Sequence, residues 1–229
     1  MEAYGSNDIK RVNGRQRLDD EMKKIDDKVL AMAEAVEAQI IDAMKSIENK
    51  DMMLARQVMD GDEEIDDLED EINSDCFMFL ATQAPLAGDL RTAVSIMKTI
   101  RDIERIGDHC VDLAKFAIRL NDQDYYKELI DLPRMAKMSA QMVSDSIRSF
   151  VDKDLRLARR VWKKDDEIDE LYKFVLEEQI NVASTEPDKA ECAVQFAFVA
   201  EHVERIADYA TNICEETVFM LEGKELTEI

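Results

Sequence analysis

The sequence predicts an all-α protein, six long antiparallel helices forming two tandem, pseudo-symmetric three-helix bundles. Composition is the first reason. The 229 residues include only six glycines and three prolines, too few for the many turns of an all-β chain. Hydrophobic residues make up 46%, enough for a packed core, and the many alanines, leucines, glutamates, lysines and methionines favour helix. The second reason is an internal repeat. Lys50-Asp51-x-x-Leu54-Ala55-Arg56-x-Val58 recurs as Lys153-Asp154-x-x-Leu157-Ala158-Arg159-x-Val161, and Glu104-Arg105-Ile106-Gly107-Asp108 as Glu204-Arg205-Ile206-Ala207-Asp208. The third is the scarcity of breaks inside each copy, which leaves room for rods of about thirty residues, roughly 45 Å long.

The elements follow in order. Residues 1–17 have no counterpart in the repeat and are expected to form a flexible N-terminal segment. A first helix is expected over 18–48, stopped by the polar turn Asn49-Lys50-Asp51, with Asp51 as N-cap of the next. The second helix covers 52–81, where Val58, Ile65, Ile72, Cys76 and Phe79 share one direction at 100° per residue. Pro85 and Gly88 mark the next turn, and a third helix runs over 86–120. The polar stretch 121–132 before Pro133 reads as the linker. The second copy then spans 133–229, with helices over 133–151, 155–183 and 188–222. Its first turn is Asp152-Lys153-Asp154, Pro187 marks its second, and Val161, Ile168 and Val175 form its apolar stripe. The first bundle is thus 18–120.

The formal net charge of −22 argues against partners made of phosphate backbone, so no nucleic acid is expected, and anionic lipid is disfavoured too. No apolar run approaches the roughly 20 residues of a membrane span, so no direct membrane insertion is expected. The first twenty residues lack the apolar core of a signal peptide. Cys76, Cys110, Cys192 and Cys214 form no C-x-x-C pair and read as buried, reduced thiols. A cytoplasmic location is the expectation.

Four acidic pairs stand out: Asp62 with Asp66, Glu104 with Asp108, Asp165 with Asp169, and Glu204 with Asp208. Each is an i, i+4 pair, so two negative charges share one helix face about 6 Å apart. The pairs occupy equivalent positions in the two halves, and those of the third helices have apolar neighbours such as Ala93, Met97 and Ile100, or Ala193, Ala197 and Ala200. A buried carboxylate without a partner raises its pKa or recruits a cation. If the second and third helices of each bundle are neighbours, four carboxylates meet per bundle. Oxygen-only ligands suit magnesium, calcium, manganese or ferric iron, with Asp112 and Asn212 as further oxygen donors. Arg105 and Arg205 project about 100° away from these acids, too far round to serve both members of a pair. A solvated acidic face accounts for the same spacing, and a scaffold without any metal remains a second reading.

These motifs carry a resemblance. Duplicated three-helix units with D-x-x-I-D in the second helix, E-R-I-G/A-D in the third, and Pro85-Leu-Ala-Gly-Asp89-Leu90-Arg91 ahead of the first E-R-I-G-D resemble the PhoU family of phosphate-system regulators over roughly residues 18–220. The second copy departs from the pattern at Lys189-Ala190-Glu191, Ala207 and Tyr209. The resemblance implies a non-enzymatic negative regulator of phosphate uptake and starvation signalling. Such a regulator would be an adaptor between the ATPase subunit of a high-affinity phosphate ABC transporter and a phosphate-sensing histidine kinase. It further implies a homodimer, and metal (iron, manganese, magnesium or zinc, singly or as multinuclear clusters) on the E(D)-x-x-x-D motifs that match the eight carboxylates above. An alternative is a di-iron carboxylate oxidase or iron-handling bundle. That chemistry uses Glu-x-x-His, whereas Ile106 and Val199 stand three residues before His109 and His202.

Overall fold

The computed structural model describes residues 4–83, 85–224 and 226, with side chains from Leu18 onward except Asp19. Six helices account for most of it: α1 (Tyr4–Glu48), α2 (Met52–Gln83), α3 (Ala87–Leu120), α4 (Asp131–Val151), α5 (Leu155–Thr185) and α6 (Ala190–Glu222), with a single 3-10 turn at Pro187–Lys189 before α6. Among the described residues every regular element is helical, as the composition and the repeat predict. The first helix begins at Tyr4, well ahead of its expected start near 18. No proline interrupts that stretch, and a helix already nucleated propagates one hydrogen bond per added residue.

The repeat extends to the hydrogen bonds of its turns. Lys50 and Lys153 both take the left-handed conformation, with φ of 53° and 57°. In each turn the following aspartate donates its backbone N–H back across the helix end, Asp51 to the Ser46 carbonyl and Asp154 to the Ser149 carbonyl, both at 2.9 Å. This closes the last turn in the Schellman manner. The same aspartates then cap the next helix: Asp51 Oδ1 accepts from the Met53 and Leu54 amides at 3.0 Å, and Asp154 Oδ1 from the Arg156 and Leu157 amides at 2.9 and 3.1 Å. Two orphan donors are satisfied by one side chain in each copy. Pro133 falls inside the first turn of α4, where its missing N–H costs nothing.

Helices α1, α2 and α3 pack on one another, as do α4, α5 and α6, while α3 lies against α6 and α1 against α4. The two bundles therefore share one continuous apolar core, in which Ile40, Ile47, Ile96, Ile103, Phe150 and Phe196 are fully or almost fully buried. Burying each such side chain stabilises by about 1.5–3 kcal/mol. Helices α2 and α5 sit outside this central layer and bury narrow stripes, the expected Val58, Ile65, Ile72, Cys76 and Phe79 with Ala55 on one, and the expected Val161, Ile168 and Val175 with Ala158 and Gln179 on the other.

The linker is anchored. Tyr125 donates its hydroxyl to the Ile47 carbonyl at 2.7 Å and sets its ring edge-on to Phe196, while Tyr126 bonds Gln179 and Lys127 pairs with Glu178. All four cysteines are buried and unpaired, and burial pushes the Cys76 and Cys214 thiols up to about 12, which makes them inert. Among the described residues no helix is long and apolar enough to cross a membrane.

Candidate metal centres

In the first bundle α2 sends Ile65 into the core and leaves Asp62 and Asp66 beside it, one turn apart, at its border with α3. Helix α3 answers with Glu104 and Asp108 around the buried Gly107. The glycine matters locally: a Cβ on residue 107 would stand only 2.8 Å from Asp62 Oδ1. Lacking a side chain there, α3 lets the carboxylate lie against its backbone. That oxygen is buried and has no hydrogen-bond partner in the protein, a state that costs about 1–3 kcal/mol unless a donor or cation arrives.

The four acids share one field. Burial, with Asp66 and Asp108 adding to it, pushes the Asp62 carboxyl up to about 6. Burial and Asp108 raise Asp66, and burial and Asp108 raise Glu104, against the pull of Arg105. The side chains are not equally sheltered: Glu104 is 20% exposed and Asp108 49%.

The second bundle repeats the arrangement with Asp165 and Asp169 on α5 facing Glu204 and Asp208 on α6. Burial followed by Asp208 pushes Asp165 up to about 6, and burial followed by Asp208 pushes Glu204 up to about 7. Burial also raises Asp208. Here Ala207 fills the place of Gly107 and is itself buried.

The arginines differ from expectation. Arg105 reaches both acids of its pair, with Nη1 2.9 Å from Asp108 Oδ2 and Nε 3.5 Å from Glu104 Oε2. Arg205 does the same more loosely, at 3.5 Å to Asp208 and 3.9 Å to Glu204. Direction at Cβ was a poor guide because the long stem folds back along the helix and the guanidinium fork presents donors on two edges. Each quartet thus has one resident cation on its α3 or α6 side.

All eight predicted carboxylates therefore lie at the two predicted helix borders, and each quartet is electrostatically coupled. Their oxygens do not close round a single small ion. Among the described residues, the set of three ligand groups whose atoms all lie within 4.8 Å of one another is His109, Asp112 and His202. The donors of each quartet are all oxygens, the ligand type that hard cations take. Asp112 does not extend the first quartet as expected but pairs with Lys115 at 2.8 Å and turns toward the histidines, and Asn212 is exposed. The histidine pair was not foreseen. The residues are 93 apart, which matches neither repeat offset, so nothing in a single sequence signals their meeting.

Fold and site together define a tandem three-helix-bundle protein with a carboxylate-lined helix border in each half. The family model for the PhoU domain matches residues 29–117 and again 132–217, and the chain belongs to the PhoU family. It is 34% identical over 213 residues to a phosphate-specific transport system accessory protein PhoU homolog of Clostridium acetobutylicum, covering 93% of this chain and 97% of that one. It is 35% identical over 204 residues to the homolog of Aquifex aeolicus, covering 89% and 92%. The crystal structure of PhoU from Pseudomonas aeruginosa superposes with a TM-score of 0.86 at 30% identity, over 90% of this chain and 99% of that one. That of the phosphate transport system regulatory protein PhoU from Streptococcus pneumoniae gives 0.84 at 28%, over 92% and 100%.

Proposed function

We propose that this protein is a cytoplasmic negative regulator of phosphate uptake and phosphate-starvation signalling, an adaptor between the ATPase subunit of a phosphate ABC transporter and a phosphate-sensing histidine kinase. The observation that carries this reading is the match of the PhoU domain to both halves of the chain, joined to relatives described as accessory proteins of phosphate-specific transport. The surface suits a protein-binding role. Exposed apolar residues include Phe77 on α2, Leu86 just before α3 and Leu90 and Val94 in its first turns, and in the second copy Ile180 on α5 and Val194 and Phe198 on α6, with Ile180 and Val194 standing at the repeat positions of Phe77 and Val94. Apolar side chains gathered at equivalent ends of two bundles are a signature of contact with other proteins. They serve docking onto partners or onto a second copy in a homodimer.

The carboxylate quartets are the proposed metal centres. Asp62, Asp66, Glu104 and Asp108 hold the first and Asp165, Asp169, Glu204 and Asp208 the second, with iron, manganese, magnesium or zinc as the cation. A bound ion supplies positive charge beyond that of the single arginine at each border. The chain's own part is to aim the Asp62 and Asp165 oxygens inward from α2 and α5, and to release Glu104 and Glu204 from the arginines that pair with them. Helices α2 and α5 bury only narrow stripes, so charge at these borders sets how firmly each outer helix is held.

Co-purification of the untagged chain with the transporter ATPase subunit and with the kinase, at high and low phosphate, tests the adaptor role. The expected result is association with both that Phe77→Glu together with Phe198→Glu abolishes. Absence of association with either, together with unaltered phosphate uptake in a strain lacking the protein, contradicts it.

A further inference from the structure

The chain contains two histidines, and the fold brings them face to face. His109 on α3 and His202 on α6 place their Nδ1 atoms 2.9 Å apart where the two bundles meet. Asp112, nearly one turn along α3 from His109, adds a carboxylate oxygen, so three ligand atoms from two helices lie within 4.8 Å of one another. The Phe116 ring lies against His202 at 5.5 Å between centroids, and Tyr209 against His109 at 5.7 Å. Aromatic faces thus shelter the cluster on two sides.

We propose that His109, Asp112 and His202 bind a borderline transition-metal ion, of which zinc is the type case, at a site separate from the acidic quartets. The chemistry differs in kind. Imidazole donors select zinc, copper and nickel, whereas carboxylates alone suit hard cations. The spacing is close to what an ion needs: two nitrogens at about 2.0–2.1 Å from a tetrahedral zinc stand about 3.3 Å apart. A small opening of the ring pair accommodates it, and water takes the fourth position.

The 2.9 Å contact between the two Nδ1 atoms is that of one ring donating and the other accepting through a free lone pair. Without an ion, one Nδ1–H donates to the other Nδ1. With an ion, both Nδ1 lone pairs point inward and the protons sit on Nε2. Lys115, 2.8 Å from Asp112 Oδ1, occupies one carboxylate oxygen and leaves the other, an outer-shell arrangement that orients the ligand. The repeat does not generate a second copy of this site, because the positions equivalent to His109 and His202 are Tyr209 and Asp102. One ion per chain would tie α3 to α6 and hence one bundle to the other.

The test is zinc(II) titration of the metal-free full chain by calorimetry, with copper(II) titration followed by electron paramagnetic resonance. One zinc per chain is expected to survive in Glu104→Gln/Glu204→Gln. In His202→Asn its affinity should fall by more than the roughly 10–100-fold that outer-shell partners carry. Copper on the wild type is expected to show coupling to two imidazole nitrogens, which only these two side chains can supply, so that arm stands even if the His202 variant fails to fold. A zinc affinity unchanged in His202→Asn, or a copper spectrum without imidazole coupling, would mean that the pair is merely a hydrogen bond between rings and overturns the proposal.

Discussion

Asp62 Oδ1 rests against the backbone of α3 at Gly107, 2.8 Å from where a Cβ on that residue would stand. The contact places a carboxylate in a helix border with no donor facing it, and it exists in the first repeat alone because the second carries Ala207. A Gly107→Ala variant gains helix propensity of about 1 kcal/mol and pushes a short, movable side chain toward water. Thermal stability is therefore expected to change by no more than about 1 kcal/mol, while manganese(II) binding at the first quartet weakens and binding at the second does not. Calorimetric titration of the variant checks this, and undiminished binding at the first quartet would count against Asp62 as a ligand.

Arg105 is the cation that any metal in the first quartet must displace, since it pairs with Glu104 and Asp108 together. Arg105→Ala is expected to tighten manganese(II) binding there. Arg205 sits farther from its acids, so Arg205→Ala should do less. Side-by-side titrations of the two variants read the difference directly.

Stability should depend on pH through Asp26 on α1. Burial pushes its carboxyl up to about 6, with Lys153 pulling down and Asp27 pushing up, whereas an unfolded aspartate titrates near about 3.9. The folded state therefore holds this proton more tightly than the unfolded state does. The stability it contributes is fully present below about pH 4 and is lost as pH rises through about 6. Asp26→Asn removes that loss, so the melting temperature of the variant is expected to gain on the wild type between about pH 5 and pH 7.5. Equal pH slopes for the two proteins would refute it.

The turn caps should be worth a comparable amount in both halves. Asp154 Oδ1 accepts from two backbone amides, as Asp51 Oδ1 does, so Asp154→Ala and Asp51→Ala are each expected to cost about 1 kcal/mol. Denaturant unfolding of the two variants measures it.

Much of this architecture is legible in the sequence because helix limits are set locally. The Asn49-Lys50-Asp51 and Asp152-Lys153-Asp154 turns stop and restart helices through their own backbone and side-chain bonds, and the structure places both where the repeat does. The placement of the eight carboxylates at two helix borders was legible for a related reason: spacing of four puts each pair on one face, and duplication marks which of the 52 acids to consider. What spacing does not carry is the reach of a long side chain or a contact between distant segments. Arg105 folds along its helix to meet both acids, Asp112 turns away from the quartet toward Lys115, and His109 finds His202 across the border between bundles. The start of α1 at Tyr4 was missed because that stretch lies outside the repeat and carries neither cap nor apolar period to mark it.

The most direct measurement for the account is elemental analysis of untagged protein purified without chelator in a His109→Asn/His202→Asn background, so that carboxylates rather than imidazoles remain to hold an ion. It is compared with the same protein carrying Glu104→Gln and Glu204→Gln. Bound iron, manganese, magnesium or zinc in the first and its loss from a folded second protein is the predicted result. A metal-free parent, or equal metal in both, would contradict the assignment of the two quartets as cation sites.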